Sequence, residues 1–152
     1  MLPTDTLSSA LDRLRAYIYE VPDQLSALSE SELTQHAPGK WSRKEILGHL
    51  IDSAINNLKR FTDAQFADGP YLIQPYNQNK LVGVNQYQQL PVTHLLTLWA
   101  SLNTQVLHIV DAIPSDTLTN PVQISGNTVN KSLAWLIEDY ILHLEHHLKT
   151  LF

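Results

Sequence analysis

The sequence predicts an all-α fold. In four long segments, leucine, isoleucine and valine recur three and four residues apart, and this spacing gives a helix one apolar face. No stretch alternates apolar and polar residues over a useful length, as a long half-buried strand would. The chain has 152 residues, of which 43% are hydrophobic, so it can close a single core and we expect one domain over residues 1–152.

Two of the helices are predicted in the first half of the chain. The first covers Thr6–Leu28, with Pro22 marking a kink or the end of its regular part. The pair Pro38-Gly39 breaks any helix that precedes it. The sequence Ser42-Arg-Lys-Glu45 then fits a capping box, in which the serine and glutamate side chains satisfy amides of the first turn. The second predicted helix therefore covers Ser42–Phe66.

The second half contains two further helices and two connecting segments. Ala67–Leu90 is long for a structureless loop, so we expect it to contain short turns or to cover a functional part of the molecule. The third helix begins near Pro91 and ends before Pro114. Ser115–Asn130 is polar and contains Gly126-Asn127, a pair typical of a small hairpin. The fourth helix follows from about Lys131 to the end of the chain.

Composition excludes several function classes. The formal net charge is −5 with only ten lysines and arginines, which argues against a nucleic-acid partner. The chain has no cysteine, so disulfides and a cysteine thiolate nucleophile are excluded. Any metal would need nitrogen or oxygen ligands. No apolar run approaches the ~20 residues of a membrane span, and the first residues do not resemble a signal peptide. We expect a cytoplasmic protein with no membrane partner.

Three histidines form the candidate metal site. His143 and His147 are four residues apart, so their imidazoles project from one face of the fourth helix and can hold one ion with His49 as third ligand. His147 falls within the apolar stripe of that helix and His143 on its flank, whereas His146 projects away and is left out. The alternative is that these are core-edge histidines hydrogen-bonded to neighbours.

The second predicted helix places His49 on its polar side, away from the core. The residues that share this side are Asp52, Ser53, Asn56 and Arg60. His49 is therefore expected to border a solvent-accessible cleft. Asp52 is a candidate catalytic residue that orients the imidazole or a metal-bound water, with a merely solubilising role as the alternative. Asp139 could orient His143, while Glu138 and Glu145 are predicted to be solvated.

Three neutral imidazoles leave coordination positions free for water or substrate, which is typical of a catalytic rather than a structural metal site. A metal held in this way can lower the pKa of bound water to about 7 or polarise a substrate carbonyl. The predicted pocket residues around it are Asn56, Tyr76 and Tyr140, for which packing or surface exposure is the alternative.

Four segments give the chain a resemblance to a known family. They are Gly39-Lys-Trp-Ser-Arg-Lys-Glu-Ile-Leu-Gly-His49-Leu-Ile-Asp-Ser, Arg60-Phe, Pro75-Tyr-Asn-Gln-Asn-Lys-Leu-Val, and Trp135-Leu-Ile-Glu-Asp-Tyr-Ile-Leu-His143-Leu-Glu-His-His147. With the four-helix layout, they resemble the DinB-like superfamily, which includes the YfiT group of metal-dependent hydrolases and bacterial thiol-dependent S-transferases. Relatives often have Tyr-Asp-Gln-Asp-x-Trp-Val where this chain has Tyr76-Asn-Gln-Asn-Lys-Leu-Val. Any pocket under this segment is therefore less acidic here.

The resemblance implies an up-down-down-up four-helix bundle. In such a bundle His49, His143 and His147 would hold a divalent metal ion, zinc or nickel, and the protein would form a homodimer. The implied function is hydrolysis of a small-molecule substrate. The alternatives are transfer of a low-molecular-weight thiol at the same metal site, and a non-enzymatic metal-binding or stress-response role.

Overall fold

The computed structural model describes residues 3–152 of the protein. Within them lie the helices α1 (Pro3–Ser26), α2 (Glu30–Thr34), α3 (Arg43–Asp63), α4 (Gln78–Val84), α5 (Val92–Asp111) and α6 (Leu133–Leu151). The strands are β1 (Tyr71–Ile73), β2 (Pro121–Ile124) and β3 (Asn130–Ser132), and short 3₁₀ turns occur at Tyr87–Gln89 and Thr117–Thr119. Among these residues, no helix is both long and apolar enough to cross a membrane.

The four long helices, α1, α3, α5 and α6, form the bundle. Both α1 and α3 pack against α5 and α6, so the order around the bundle is α1, α5, α3, α6. Arg43, at the start of α3, donates to the backbone carbonyl of Leu151 at the end of α6, so these two helices are antiparallel. Arg15 of α1 binds Asp111 at the end of α5. The predicted all-α four-helix bundle is confirmed.

Local signals account for where the helices begin. Ser42 and Glu45 form the predicted capping box, with the Glu45 amide donating to the Ser42 hydroxyl at 3.1 Å. A second capping box, between Ser29 and Glu32, starts the short α2, which ends before the Pro38-Gly39 pair. Helix α1 continues through Pro22 to Ser26.

A small three-stranded sheet closes one side of the bundle. Strands β2 and β3 pair antiparallel, which confirms the predicted hairpin. Strand β1 pairs with β2 in parallel, and the sequence did not predict this pairing because strands of three and four residues are too short to show an alternating pattern. The pairing joins the segment before α4 to the segment before α6.

Helix α3 is buried on the side that the sequence assigns to solvent. His49, Asp52 and Ser53 are 0%, 3% and 2% exposed. They are buried because α3 contacts α5 and α6 and is also covered by α4 and the Tyr87–Gln89 turn. The prediction that His49 lies outside the core is therefore wrong. Helical periodicity identifies polar positions, but it does not show which of them another element covers.

A close contact between Gly48 and Tyr87 holds the covering segment on α3. A Cβ atom at position 48 would lie 2.1 Å from Cδ2 of the Tyr87 ring, which only a glycine avoids. The hydroxyl of the same ring donates a hydrogen bond to the Asp52 carboxylate. Gln86 precedes it with a φ of 57°, a left-handed conformation that is uncommon for residues other than glycine.

The Gly48→Ala substitution is expected to destabilise the protein by about 1–3 kcal/mol, because the added methyl group overpacks the contact with Tyr87. Gly83→Ala is the matched control. No atom lies within 4 Å of a Cβ at that helical position, so the better helix former should be neutral or stabilise by up to about 1 kcal/mol. Urea denaturation of both variants measures the difference, and a Gly48→Ala variant as stable as the parent would contradict the contact.

Candidate metal centre

Three imidazoles converge between α3 and α6. The Nε2 atoms of His49 and His143 lie 3.3 Å apart, and those of His143 and His147 lie 3.1 Å apart. Among the described residues, these three histidines form a group of potential metal ligands, and their ligand atoms all lie within 4.8 Å of one another. His146 is exposed and stays outside the group, as its position on the helix predicted.

The donor set fits a divalent metal ion. Two histidine nitrogens bound to a tetrahedral zinc ion at about 2.0–2.1 Å from each are separated by about 3.3 Å. The observed separations of 3.3 and 3.1 Å are close to this value. Imidazole nitrogen is a good ligand for both zinc and nickel. Three such ligands leave further coordination positions for a water molecule or a substrate.

The direction in which α6 presents its histidines depends on α1. Glu145 lies between His143 and His147 in the sequence and points to the opposite side of α6. Its carboxylate accepts two hydrogen bonds from Arg13, at 2.9 and 3.0 Å, and one from the Tyr17 hydroxyl. The prediction that Glu145 is solvated is therefore wrong, because α1 packs on that side of α6. The ion pair and the buried apolar stripe of α6 together favour the rotation of α6 that turns its histidines towards α3.

Burial keeps the three imidazoles neutral near pH 7. Desolvation, with smaller effects from the neighbouring histidines, lowers the pKa of His49 and of His147 to about 4. The pKa of His143 is also lowered by burial, although the charge of Asp139 acts in the opposite direction. A neutral imidazole has a free lone pair, so the metal does not have to displace a proton at neutral pH.

An aromatic residue just before α3 and a carboxylate on α3 complete the surroundings of His49. The ring of Trp41 covers it at 4.9 Å between centroids. The Nδ1 atom of His49 is buried and has no hydrogen-bond partner among the described residues. Asp52, one turn further along, accepts hydrogen bonds from Tyr87 and Asn85 through Oδ1, while its Oδ2 is buried without a partner. Its carboxylate therefore does not bond to the imidazole, and burial raises its pKa.

A cavity of about 260 Å³ opens beside His143. Its floor is formed by α3 and α6, and its other walls are formed by β1, β2 and the segment that follows β1. The polar residues that line it are Ser53, Asn57, Arg60, Tyr76 and Asp139. The remaining lining residues are mostly apolar, so the cavity suits a small molecule with few polar groups.

Two of the three predicted pocket residues line this cavity, and the third does not. Tyr76 and Tyr140 lie on the wall of this cavity, although the Tyr140 hydroxyl points away and donates to Asn103 at 2.6 Å. Asn56 does not line it. Its amide donates to the backbone carbonyl of Asp52 and it faces the outer side of α3. The neighbouring Asn57 takes its place because it lies two helical turns after His49.

Comparison with known proteins identifies the family. The family model of the DinB superfamily matches residues 10–151. The chain belongs to the DinB superfamily. The match includes all three histidines of the site.

Relatives of this DinB superfamily member have names that mention metal-dependent chemistry. A protein of Bacillus mycoides named "Putative metal-dependent hydrolase" is 28% identical over 146 residues, which cover 90% of this chain and 80% of that protein. A protein of Bacillus pumilus with the same designation is 25% identical over 145 residues, covering 90% of this chain and 82% of the relative.

Two solved structures share the fold. YfiT from Bacillus subtilis, described as a probable metal-dependent hydrolase with an unusual four-helix bundle topology, superposes with a TM-score of 0.78. It is 18% identical, and the match covers 94% of this chain and 80% of YfiT. A mycothiol-dependent maleylpyruvate isomerase superposes with a TM-score of 0.68 at 17% identity, over 93% of this chain and 59% of the isomerase.

Several residues of this DinB superfamily site were not singled out by the sequence. The sequence patterns assign no role to Trp41 or Asn57, and they place Ser53 and Arg60 only on a polar face. One signal was available, because Ser53 and Asn57 follow His49 at intervals of four residues and so lie on its side of the helix. The contact between Trp41 and His49 had no such signal, since Trp41 precedes the helix.

The metal-free protein is expected to lose stability as the pH falls from about 6.5 towards about 4. An unfolded histidine has a pKa of about 6.5, whereas the pKa of folded His49 and His147 is about 4. Between these values the unfolded chain binds protons that the folded protein excludes, so acid favours unfolding. Urea denaturation at several pH values measures the slope. It should be shallower in His147→Gln and unchanged in His36→Gln, which replaces an exposed histidine. Equal slopes in all three proteins would contradict the burial of the triad.

Proposed function

We propose that the protein is a metal-dependent hydrolase that acts on a small molecule at a zinc or nickel ion held by His49, His143 and His147. The observation that carries this proposal is the convergence of the three Nε2 atoms at separations that match a shared metal ion. The names of the relatives at 25–28% identity support the same chemistry.

Each residue of the candidate site has a definite task in this proposal. The bound metal would supply Lewis-acid activation of a water molecule or of a substrate carbonyl. The three imidazoles hold the ion through Nε2 and remain neutral because they are buried. Trp41 shields His49 from bulk water. The cavity beside His143 brings the substrate to the triad, with Tyr76 on its wall.

Transfer of a low-molecular-weight thiol is the second candidate. It would use the same three ligands, and it is favoured by the shared bundle of the mycothiol-dependent isomerase together with a cavity that opens directly beside a metal ligand. A non-enzymatic metal-binding role is the third. The homodimer and the cytoplasmic location expected from the sequence stay predictions.

Turnover assays separate these candidates. Small esters, amides and alkyl electrophiles are incubated with the zinc- or nickel-loaded protein, with and without an added thiol. Hydrolysis that needs no thiol supports the hydrolase. If an electrophile is consumed only when both the thiol and the three histidines are present, the protein is a transferase and the hydrolase proposal is rejected. Stoichiometric metal with no turnover in either series leaves a binding role.

Replacement of any one of His49, His143 and His147 by alanine is expected to abolish stoichiometric metal binding, because two ligands hold the ion much more weakly than three. The parent should bind about one ion per chain by elemental analysis and titration calorimetry. His146→Ala is the matched control, since it removes an exposed histidine from the same helix. Triad variants that keep the full metal content would refute the assignment.

Asp52 is proposed as a positioning residue that anchors Asn85 and Tyr87 on α3, and its catalytic role stays a prediction. In Asp52→Asn the amide oxygen can still accept from both partners, so metal affinity and turnover should stay close to those of the parent. Asp52→Ala leaves the O–H of the buried Tyr87 without its acceptor and should cost about 1–3 kcal/mol in unfolding free energy. If Asp52→Asn instead binds metal normally and loses turnover, the carboxylate itself takes part in the reaction.

A further inference from the structure

The end of the cavity remote from the triad contains an arginine. His49, Ser53, Asn57 and Arg60 follow one another at intervals of about one turn, so they form a polar ladder along one side of α3. Arg60 lies eleven residues after His49, about 16 Å along the helix axis. Its side chain leans back towards the helix start and contacts Asn57, as expected for a helical residue.

The charge of Arg60 is not neutralised within the protein. In the part of the chain that the structure describes, no carboxylate lies within 4.0 Å of its guanidinium, whereas Arg13 binds one carboxylate and Arg15 binds two. Arg60 donates instead to the backbone carbonyl of Gln74 and, at 3.4 Å, to the Asn57 side-chain oxygen. The half-buried cation therefore lines the cavity with no carboxylate in contact with it among the described residues.

The guanidinium is held in place and still has donors to offer. An arginine has five N–H donors, and the two observed bonds use one on each terminal nitrogen. The ring of Tyr76 lies against it, with 5.5 Å between the guanidinium carbon and the ring centroid. The three remaining donors are enough for a two-bonded contact with a carboxylate, and the arginine would lose little side-chain entropy in forming it.

Asp139 determines which way round a charged ligand would lie. It lines the same cavity from α6, one turn before His143, and it has no cationic partner within 4.0 Å among the described residues. A ligand carboxylate is repelled at this end and attracted at the Arg60 end. The walls between the two ends include Ile73, Trp135 and Leu136, so the middle of the ligand is apolar.

We propose that Arg60, supported by Asn57 and Tyr76, binds the carboxylate of a small organic anion and directs the rest of that molecule towards His143. The volume of about 260 Å³ lies below the range of about 300–1,000 Å³ for drug-sized ligands, which restricts the ligand to a short chain. The assignment of the other end as the reacting end rests on the proposed metal-dependent function. The anion site itself stands on the contacts of Arg60.

The test compares butyrate with butyramide, which has nearly the same shape and no charge. Both are titrated into the full chain by ¹⁵N NMR, first without metal so that the carboxylate cannot coordinate an ion, and then with zinc. We expect the parent to prefer butyrate and Arg60→Gln to reduce this preference by about tenfold or more. Arg60→Lys, which keeps the charge but not the planar fork, should retain part of the preference.

Two controls are built into the chain. Lys59→Gln removes the same charge from the adjacent position, where the lysine is paired with Asp63 outside the cavity, and should leave the preference unchanged. Asp139→Asn should leave butyrate binding intact or strengthen it, because a repulsive charge is removed. Thermal denaturation verifies that each variant is folded.

The outcomes separate this proposal from the proposed function. If Arg60→Gln leaves the preference for butyrate unchanged, the anion site is wrong. It is also wrong if the variant weakens both probes equally, since Arg60 would then only hold the Gln74 and Tyr76 segment in place. Metal stoichiometry is measured separately on the same proteins. An Arg60-dependent preference in a parent that binds no metal would sink the metal-dependent function and leave the anion site standing.

Discussion

The rotation of α6 is the constraint on which the candidate site depends. His143 and His147 face α3 because the apolar stripe of α6 packs into the core and because Glu145, on the opposite side of the same helix, is bound to Arg13 and Tyr17 of α1. Close-packed apolar side chains interdigitate and so resist rotation of the helix about its axis. The Glu145 carboxylate adds a directional constraint on the other side of α6, because it accepts from two partners and each hydrogen bond depends on direction. The bundle thus uses one of its interfaces to orient the residues of another.

The site combines a neutral centre with charges at a distance. Burial removes the protons from the imidazoles, so the triad presents lone pairs rather than positive charge. The only charged groups on the cavity wall are Asp139 near one end and Arg60 at the other, among the residues described. The two opposite charges at different positions along the wall give the cavity a direction. Recognition and chemistry can therefore be carried out by different ends of the same cavity.

The sequence was sufficient for the long helices and for the clustering of the three histidines. Apolar spacing located α1, α3, α5 and α6, the Ser42 capping box located the start of α3, and the interval between His143 and His147 identified their shared face. What it did not show depends on contacts between distant segments. Glu145 meets Arg13 across 132 residues, and His49 is buried by elements that lie elsewhere in the chain. The choice between Asn56 and Asn57 required the direction of the cavity, which periodicity alone does not give.

The parallel pairing of β1 with β2 has a consequence for how this protein could diversify. It joins two connecting segments, one on each side of α5 in the sequence, into a single wall that stands on the bundle without contributing a metal ligand. Mutations in that wall can alter the shape and polarity of the cavity while the triad and its supporting helices are left intact. Under the proposed function, substitutions in this wall would change ligand preference without rebuilding the triad, whereas Arg60 lies on α3 with His49.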